Sequence, residues 1–170
     1  MEETQKLRLV IIDDHNIVRV GLKLLLETWP EIELVGEGSN GIEALKLVEQ
    51  LDPDIVLMDV AMPEIDGIEA ARRIRCFNQK VRIIMLTSHT DVTAIQASLA
   101  AGVNGYCLKD VEDDRLKRAI LSVIDGDVWL DARATKDVLS MAIGQKLAPP
   151  DALSKTGVSE KTHNYVDNNE

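Results

Sequence analysis

Short aliphatic runs alternate along the chain with longer stretches in which apolar residues recur every three to four positions. Leu7 to Ile12 is nearly all apolar at its end, which predicts a strand buried on both faces, and it stops at Asp13-Asp14. Val18, Leu22 and Leu25 follow at helical spacing, with Asn16 or a neighbour as cap, Trp29 near the end and Pro30 as the stop. Ile32 to Val35 reads as a short second strand, and Ser39-Asn40-Gly41 turns the chain into a helix with Ala44, Leu45, Val48 and Leu51 inward. Pro53 breaks that helix. Ile55 to Met58 is a third strand, too short to be a helix by itself, and it ends at Asp59. Gly67, Ala70, Ala71 and Ile74 mark a third helix to about Arg75.

Val81 to Leu86 predicts a fourth strand that runs into Thr87-Ser88-His89. The next helix, from about Asp91 to Gly102, has a weak apolar face of Val92, Ile95 and Leu99; weak anchoring makes it a candidate moving part. Asn104 to Leu108 is a fifth strand ending at Lys109. Leu116, Ala119, Ile120 and Val123 define a fifth helix, with favourable acidic charge at its start (Glu112, Asp113, Asp114) and Gly126 at its end. A sixth helix is expected near Ala132 to Ile143, with Ala134, Val138, Met141 and Ala142 on one side and Trp129 seating it. After Gln145 the chain turns polar around Pro149-Pro150 and reads as a linker or tail. Five strand–helix alternations argue for a parallel sheet with helices on both faces.

The 170 residues suit one domain plus an appendage. Aromatics are only 3% of the chain, so Ile, Leu, Val and Ala must fill the core. A net charge of −10 argues against this chain gripping nucleic-acid phosphates by itself. Cys76 and Cys107 have no metal-ligand spacing and read as free thiols of a reducing compartment. The acidic Met1-Glu2-Glu3 start lacks a signal-peptide core, and no apolar run reaches membrane-spanning length. A soluble cytoplasmic protein without membrane contact is expected.

The strand ends carry the chemistry. Side by side in a sheet they bring Asp13, Asp14, Asp59, Thr87 and Lys109 to one edge. Close carboxylates repel, so one stays protonated unless a cation intervenes. Hard oxygen donors with open positions suit Mg²⁺. Carboxylate, magnesium, hydroxyl and ammonium together point to phosphoryl transfer, with Asp59 as nucleophile forming an acyl phosphate. Taken singly, each residue has a plainer explanation: an Asp or Thr at a strand end often caps a helix, a Lys is often solvated, and Tyr106 packs well in a core. An aspartate-nucleophile phosphohydrolase is the competing enzyme reading, but those place the nucleophile after strand one in Asp-x-Asp, and here the two acids are adjacent. A flavodoxin-like cofactor binder would need donors for a phosphate where Asp13-Asp14 would repel it.

The set resembles the receiver domain of bacterial two-component response regulators. The matching residues are Asp13-Asp14, Asp59 within Asp-Val-Ala-Met-Pro-Glu-Ile-Asp-Gly, Leu86-Thr87-Ser88, and Gly105-Tyr106-Cys107-Leu108-Lys109-Asp110, spanning residue 7 to about 125. The last of these resembles the subfamily whose receivers precede a helix-turn-helix DNA-binding domain. The resemblance implies a flavodoxin-like (βα)5 doubly wound sheet with strand order 2-1-3-4-5 and an additional C-terminal helix. It implies a receiver at 1–126, a linker helix at 127–145 and a tail at 146–170, with the output domain absent. Gly157 to Thr162 faintly resembles a recognition helix but lacks the supporting helices.

It further implies that Asp59 accepts phosphoryl from a sensor histidine kinase. Asp14, Asp59 and the backbone carbonyl of Ala61 would ligate Mg²⁺, with Asp13 acting through water. Thr87 and Lys109 would hold the phosphoryl group, and Tyr106 would rotate inward as Thr87 moves. Ala61 and His89 would tune phosphate lifetime, while His15 is either a kinase-facing surface residue or a phosphate carrier. Such a protein is a phosphoacceptor switch, not an enzyme with turnover; it catalyses only its own phosphorylation and dephosphorylation. It is expected to dimerise with itself when phosphorylated and to reach DNA only through an output domain. A stand-alone phosphorelay receiver and a pseudo-receiver that only dimerises are the alternatives within the fold. One departure stands out: Lys109 is followed by Asp110, where many receivers carry proline.

Overall fold

The fold is that of a computed structural model, which describes residues 5–147. Six strands, β1 (Leu7–Ile12), β2 (Ile32–Gly38), β3 (Ile55–Asp59), β4 (Arg82–Thr87), β5 (Gly105–Leu108) and β6 (Trp129–Leu130), form one sheet in the order β2-β1-β3-β4-β5-β6. Every neighbouring pair is parallel. The connections are α1 (Asn16–Glu27), α2 (Gly41–Leu51), α3 (Gly67–Phe77), α4 (Val92–Ala100) and α5 (Asp113–Asp125), and α6 (Ala132–Leu147) comes after β6. This is the flavodoxin-like α/β sheet, with the expected order of its first five strands.

Side-chain alternation along each strand divides the core in two. Leu9, Ile11, Ile55, Leu57 and Ile84 face α1 and α5, where Leu26, Leu116, Ala119 and Ile120 close over them. Val10, Ile12, Val56, Met58 and Ile83 face the other way, against Ala44, Val48, Ala70, Ala71 and Ile74 of α2 and α3. All of these strand residues are fully or almost fully buried, which is why the central strands read as continuous apolar runs. Each buried aliphatic side chain contributes about 1.5–3 kcal/mol relative to exposure.

Local signals set the helix starts. The Asn40 side chain accepts from Glu43 N at 2.9 Å, Asp66 from Glu69 N at 2.7 Å, and Asp91 from Thr93 N at 2.9 Å. Each fills one orphan donor of a first turn. In helix α1 the N-cap is the neighbour of Asn16, His15, but no side chain caps the helix; instead the His15 backbone N–H donates to Asp13 Oδ1 at 2.8 Å. The Asp13 carboxylate is thus committed to the turn before the helix.

The C-terminal part departs most. Strand β6 is absent from the sequence-based expectation, because two residues carry no period. It adds to the edge of β5 through Gly105 and Tyr106, with Asp131 N donating to Tyr106 O at 2.9 Å. Trp129 packs on the α1–α5 side of the sheet and does not seat the sixth helix; Leu130, Ala134 and Val138 form that contact, on the opposite side. Met141, expected inward, is 45% exposed, and the side chain of Ala142 lies outside those described. Helix α6 begins as expected and continues to Leu147. Of the tail expected at 146–170, residues 148–170 lie outside the described residues, as does the Gly157 to Thr162 segment. Arg133 clasps α6 to the loop after β5: its Nη1 and Nη2 donate to Asp110 Oδ2 and Oδ1 at 3.0 and 2.6 Å. In α4 only Ile95 and Ser98 are buried, and its neighbours are α3 and α6.

Candidate functional site

The sheet order reverses at β1, which lies between β2 and β3. In open α/β sheets the crevice beyond the carboxyl ends of the strands at such a point is where ligands bind. Asp13 directly succeeds β1 and Asp59 is the last residue of β3. Both are buried, Asp13 at 1% and Asp59 at 3% exposure. Lys109, just past β5, reaches across β4 to them. Its Nζ lies 2.7 Å from Asp13 Oδ2 and 3.1 Å from Asp59 Oδ2. Lys109 is the partner of both oxygens, which have no other hydrogen-bond donor among the described residues.

Two anchors hold the first acid in place. The Asp13 backbone N donates to Gly38 O at 3.1 Å, and Arg19 Nη1 donates to the Asp13 carbonyl at 2.6 Å. The Asp59 end of β3 is shaped by a close pass of the chain over itself: Gly67 N donates to Val60 O at 2.9 Å. A Cβ on Gly67 would come within 2.0 Å of the Asp59 carbonyl oxygen, so no larger residue fits that turn as it stands.

Charge is concentrated here. Burial raises the pKa of Asp59 above the ordinary carboxylate range, and the Asp13 charge adds to the rise; Lys109 opposes both. Burial disfavours the charged form of Lys109, but hydrogen bonding and charge from Asp13 and Asp59 outweigh it and leave its pKa raised. Lys109 is therefore a fixed ammonium at neutral pH. Asp13, Asp14, His15 and Asp59 each offer one donor atom, and all four atoms lie within 4.8 Å of one another. Three clustered carboxylates with a single ammonium between two of them leave negative charge that a hard divalent cation satisfies. The three acids fit Mg²⁺.

A second group adjoins the first. Thr87 ends β4 and is nearly buried. Its hydroxyl accepts from His89 N at 3.3 Å, and its carbonyl accepts from Lys109 N at 2.8 Å. Tyr106 is fully buried, with its hydroxyl 3.5 Å from the His89 carbonyl. Burial raises the tyrosine pKa, the Thr87 hydrogen bond lowers it, and the charge of Asp91 raises it further. His89 and Ala61 are exposed, in the loops two residues beyond Thr87 and Asp59. Asp14 is open to solvent with its side chain 30% exposed.

The sequence places His15 at the surface, facing a kinase or carrying phosphate. Its side chain is 65% exposed, yet Nδ1 points at the acids, 3.0 Å from Asp14 Oδ1. The signal for this contact is its position directly after the acid pair. Arg19 and Arg133 carry no such signal, since each acts on backbone or on a residue distant in sequence; Gly67 is marked by its motif, but its close approach to the Asp59 carbonyl is not. Of the free cysteines, Cys107 is buried and its thiol is pushed up to about 12, which leaves it unreactive.

Comparison with known proteins agrees with this geometry. Residues 9–121 match the family model described as the response regulator receiver domain. The transcriptional regulatory protein DegU of Brevibacillus brevis is 36% identical over 134 residues, covering 79% of this chain and 57% of that protein. LiaR of Bacillus subtilis (strain 168), also a transcriptional regulatory protein, is 36% identical over 151 residues, covering 88% of this chain and 72% of LiaR. Among solved structures, a LuxR-family two-component response regulator from Aurantimonas sp. SI85-9A1 superposes with a TM-score of 0.78 at 31% identity, covering 82% of this chain and 99% of that one. The chain thus spans a little over half the length of DegU.

Proposed function

Because the chain belongs to the response regulator receiver domain family, we propose that Asp59 is its phosphoacceptor and that a sensor histidine kinase is the donor. The observation that carries this reading is the pairing of a buried Asp59 carboxylate with Lys109 Nζ at 3.1 Å, beside Asp13 and Asp14. An Asp59 oxygen forms the new P–O bond while the P–N bond of the donor phosphohistidine breaks. The leaving imidazole takes up a proton, and the product is an acyl phosphate. Lys109 neutralises one negative charge of the incoming group without having to move in from solvent. Asp13, Asp14 and Asp59 would hold Mg²⁺, which when bound supplies the remaining positive charge. The backbone carbonyl of Ala61 is a further proposed ligand, and Asp13 is proposed to act through water.

Thr87 and Lys109 would bind the added phosphate oxygens. About two negative charges replace one, and Thr87, drawn toward them, would release His89 N and change the packing around Tyr106. Ala61 and His89, exposed two residues beyond Asp59 and Thr87, would set how long the phosphate survives. The related transcriptional regulators support a transcriptional output, with residues 127–145 serving as the linker helix that joins the receiver at 1–126 to an output domain. Phosphorylation-dependent homodimerisation would deliver that output in the cytoplasm. No helix among the described residues is long and apolar enough to cross a membrane.

Incubation with acetyl phosphate and Mg²⁺ should add one phosphate, detected by intact mass. Asp59→Asn should abolish it. Labelling of the Asn variant at another residue, or no labelling of the unaltered chain, overturns the assignment.

A further inference from the structure

Building on Asp59 as phosphoacceptor and Thr87 as a phosphate ligand, we propose that α6 is an effector carried by the chain itself. Docked, it shuts Tyr106 against the loop after β4 and so strengthens phosphate binding at Asp59.

Tyr106 has two sides, because β5 lies between β4 and β6. Toward β4, its hydroxyl reaches the His89 carbonyl at 3.5 Å, while His89 N donates to the Thr87 hydroxyl at 3.3 Å. His89 therefore connects the tyrosine to the threonine. Toward β6, Leu130 stands beside Tyr106 in register, and Leu130, Ala134 and Val138 belong to the same apolar cluster as the ring. Tyr106 is fully buried, although β5 would be the edge of the sheet without β6. A ring turned away from His89 would enter the space that Leu130 and Ala134 fill. A docked α6 and an outward Tyr106 thus exclude each other.

The root of α6 is bonded to the tyrosine as well. Asp131 N donates to Tyr106 O at 2.9 Å, and the buried Asp131 carboxylate accepts from Arg133 N at 3.0 Å at the start of the helix. Arg133 in turn ties the helix to Asp110, the residue after Lys109. Further along the hold is light: Ala134 is fully buried, but Leu139, Met141 and Ile143 are exposed. A helix held by so few buried side chains opens at small free-energy difference.

The sign follows from His89. Phosphate that draws the Thr87 hydroxyl away breaks its bond with His89 N. The Tyr106 hydroxyl is then a side-chain contact that still keeps His89 in place and covers the core beneath the loop. A tyrosine free to turn outward spends part of its time unable to do this, and the apparent affinity for phosphate falls with the fraction left competent. Docking of α6 removes the outward arrangement. Linkage makes the effect mutual: phosphate at Asp59 must tighten α6 by the factor with which α6 strengthens phosphate binding.

Calorimetric titration of the full chain with beryllofluoride in Mg²⁺, a tetrahedral stand-in for the phosphoryl group, tests this. Val138→Asp puts a charge beneath α6, and Leu139→Asp puts the same charge on its exposed face. Val138→Asp should weaken beryllofluoride binding about fivefold or more, the low end of typical coupling, while Leu139→Asp stays within about twofold of the parent. Hydrogen exchange in α6 of the unaltered chain should slow when the anion binds. In a Tyr106→Leu background, where the side chain is too short to reach His89, adding Val138→Asp should change affinity less than about twofold, an outcome that a merely structural or electrostatic role of α6 would not give. Unchanged or tighter binding in Val138→Asp, an equal loss in Leu139→Asp, an undiminished loss in the Tyr106→Leu background, or α6 exchange that does not respond to the anion overturns the proposal. Failure of the underlying reading looks different: the unaltered chain would then bind no beryllofluoride and accept no phosphate from acetyl phosphate.

Discussion

Gly67→Ala is the sharpest test of how the fold shapes the end of β3. The new Cβ would sit 2.0 Å from the Asp59 carbonyl oxygen, 3.0 Å from the Asp59 carbonyl carbon and 3.2 Å from Val60 Cα. The first contact is short of normal van der Waals separation by roughly 1.5 Å. All three neighbours are backbone, so no side-chain rotation relieves the overlap. Overpacking that flexible side chains can absorb costs about 1–3 kcal/mol; here the upper end, about 3 kcal/mol, is expected. In a chain of this size that lowers Tm by about 6–12 °C. The displaced group belongs to Asp59 itself, so acetyl-phosphate labelling should slow in the same variant. Gly21→Ala is the control. Gly21 lies in α1, and a methyl group there would meet nothing within 4 Å, so alanine should stabilise by about 0.5–1 kcal/mol. Thermal melts of the two variants should move in opposite directions. An unchanged Tm and labelling rate in Gly67→Ala would refute the claim that this turn sets the position of Asp59.

Three further outcomes are expected. The raised pKa of Asp59 means that the folded state holds its proton longer than the unfolded state does, so metal-free stability falls as pH rises out of the ordinary carboxylate range. Asp59→Asn should therefore be more stable than the parent at neutral pH without metal, with the advantage vanishing in acid; urea melts across pH check this, and equal stability at neutral pH would count against it. Mg²⁺ binding only the folded state at a hundred times its Kd should add about 2.7 kcal/mol, visible as a Tm rise that a chelator reverses and that Asp14→Asn diminishes. Arg133→Ala removes the clasp on Asp110, so hydrogen exchange should quicken in α6 while the central strands stay protected; unchanged protection in α6 would show that Leu130, Ala134 and Val138 suffice to hold it.

Much of the site is legible without the fold, because its members end strands. An aliphatic run that stops at Asp59 or Lys109 marks both a strand and the edge where that side chain emerges. The departure at Asp110 is visible too, but its use is not: the partner, Arg133, is 23 residues further on. Strand β6 escapes notice for a related reason. Trp129 and Leu130 pair with β5 because an edge is there to accept them, which no local period announces.

Periodicity, breakers and strand-end chemistry were enough to determine the layered α/β architecture, the order of its first five strands, and the acids and ammonium that meet at the strand ends. They act within a few residues, where steric preference and burial leave a mark on residue order. Distances across the pocket, the turn of His15 toward the acids, the backbone approach at Gly67 and the docking of α6 were decided only by tertiary structure. Each depends on segments far apart in the chain being pressed together by a shared core, and side-chain direction after that compression is written in no single segment.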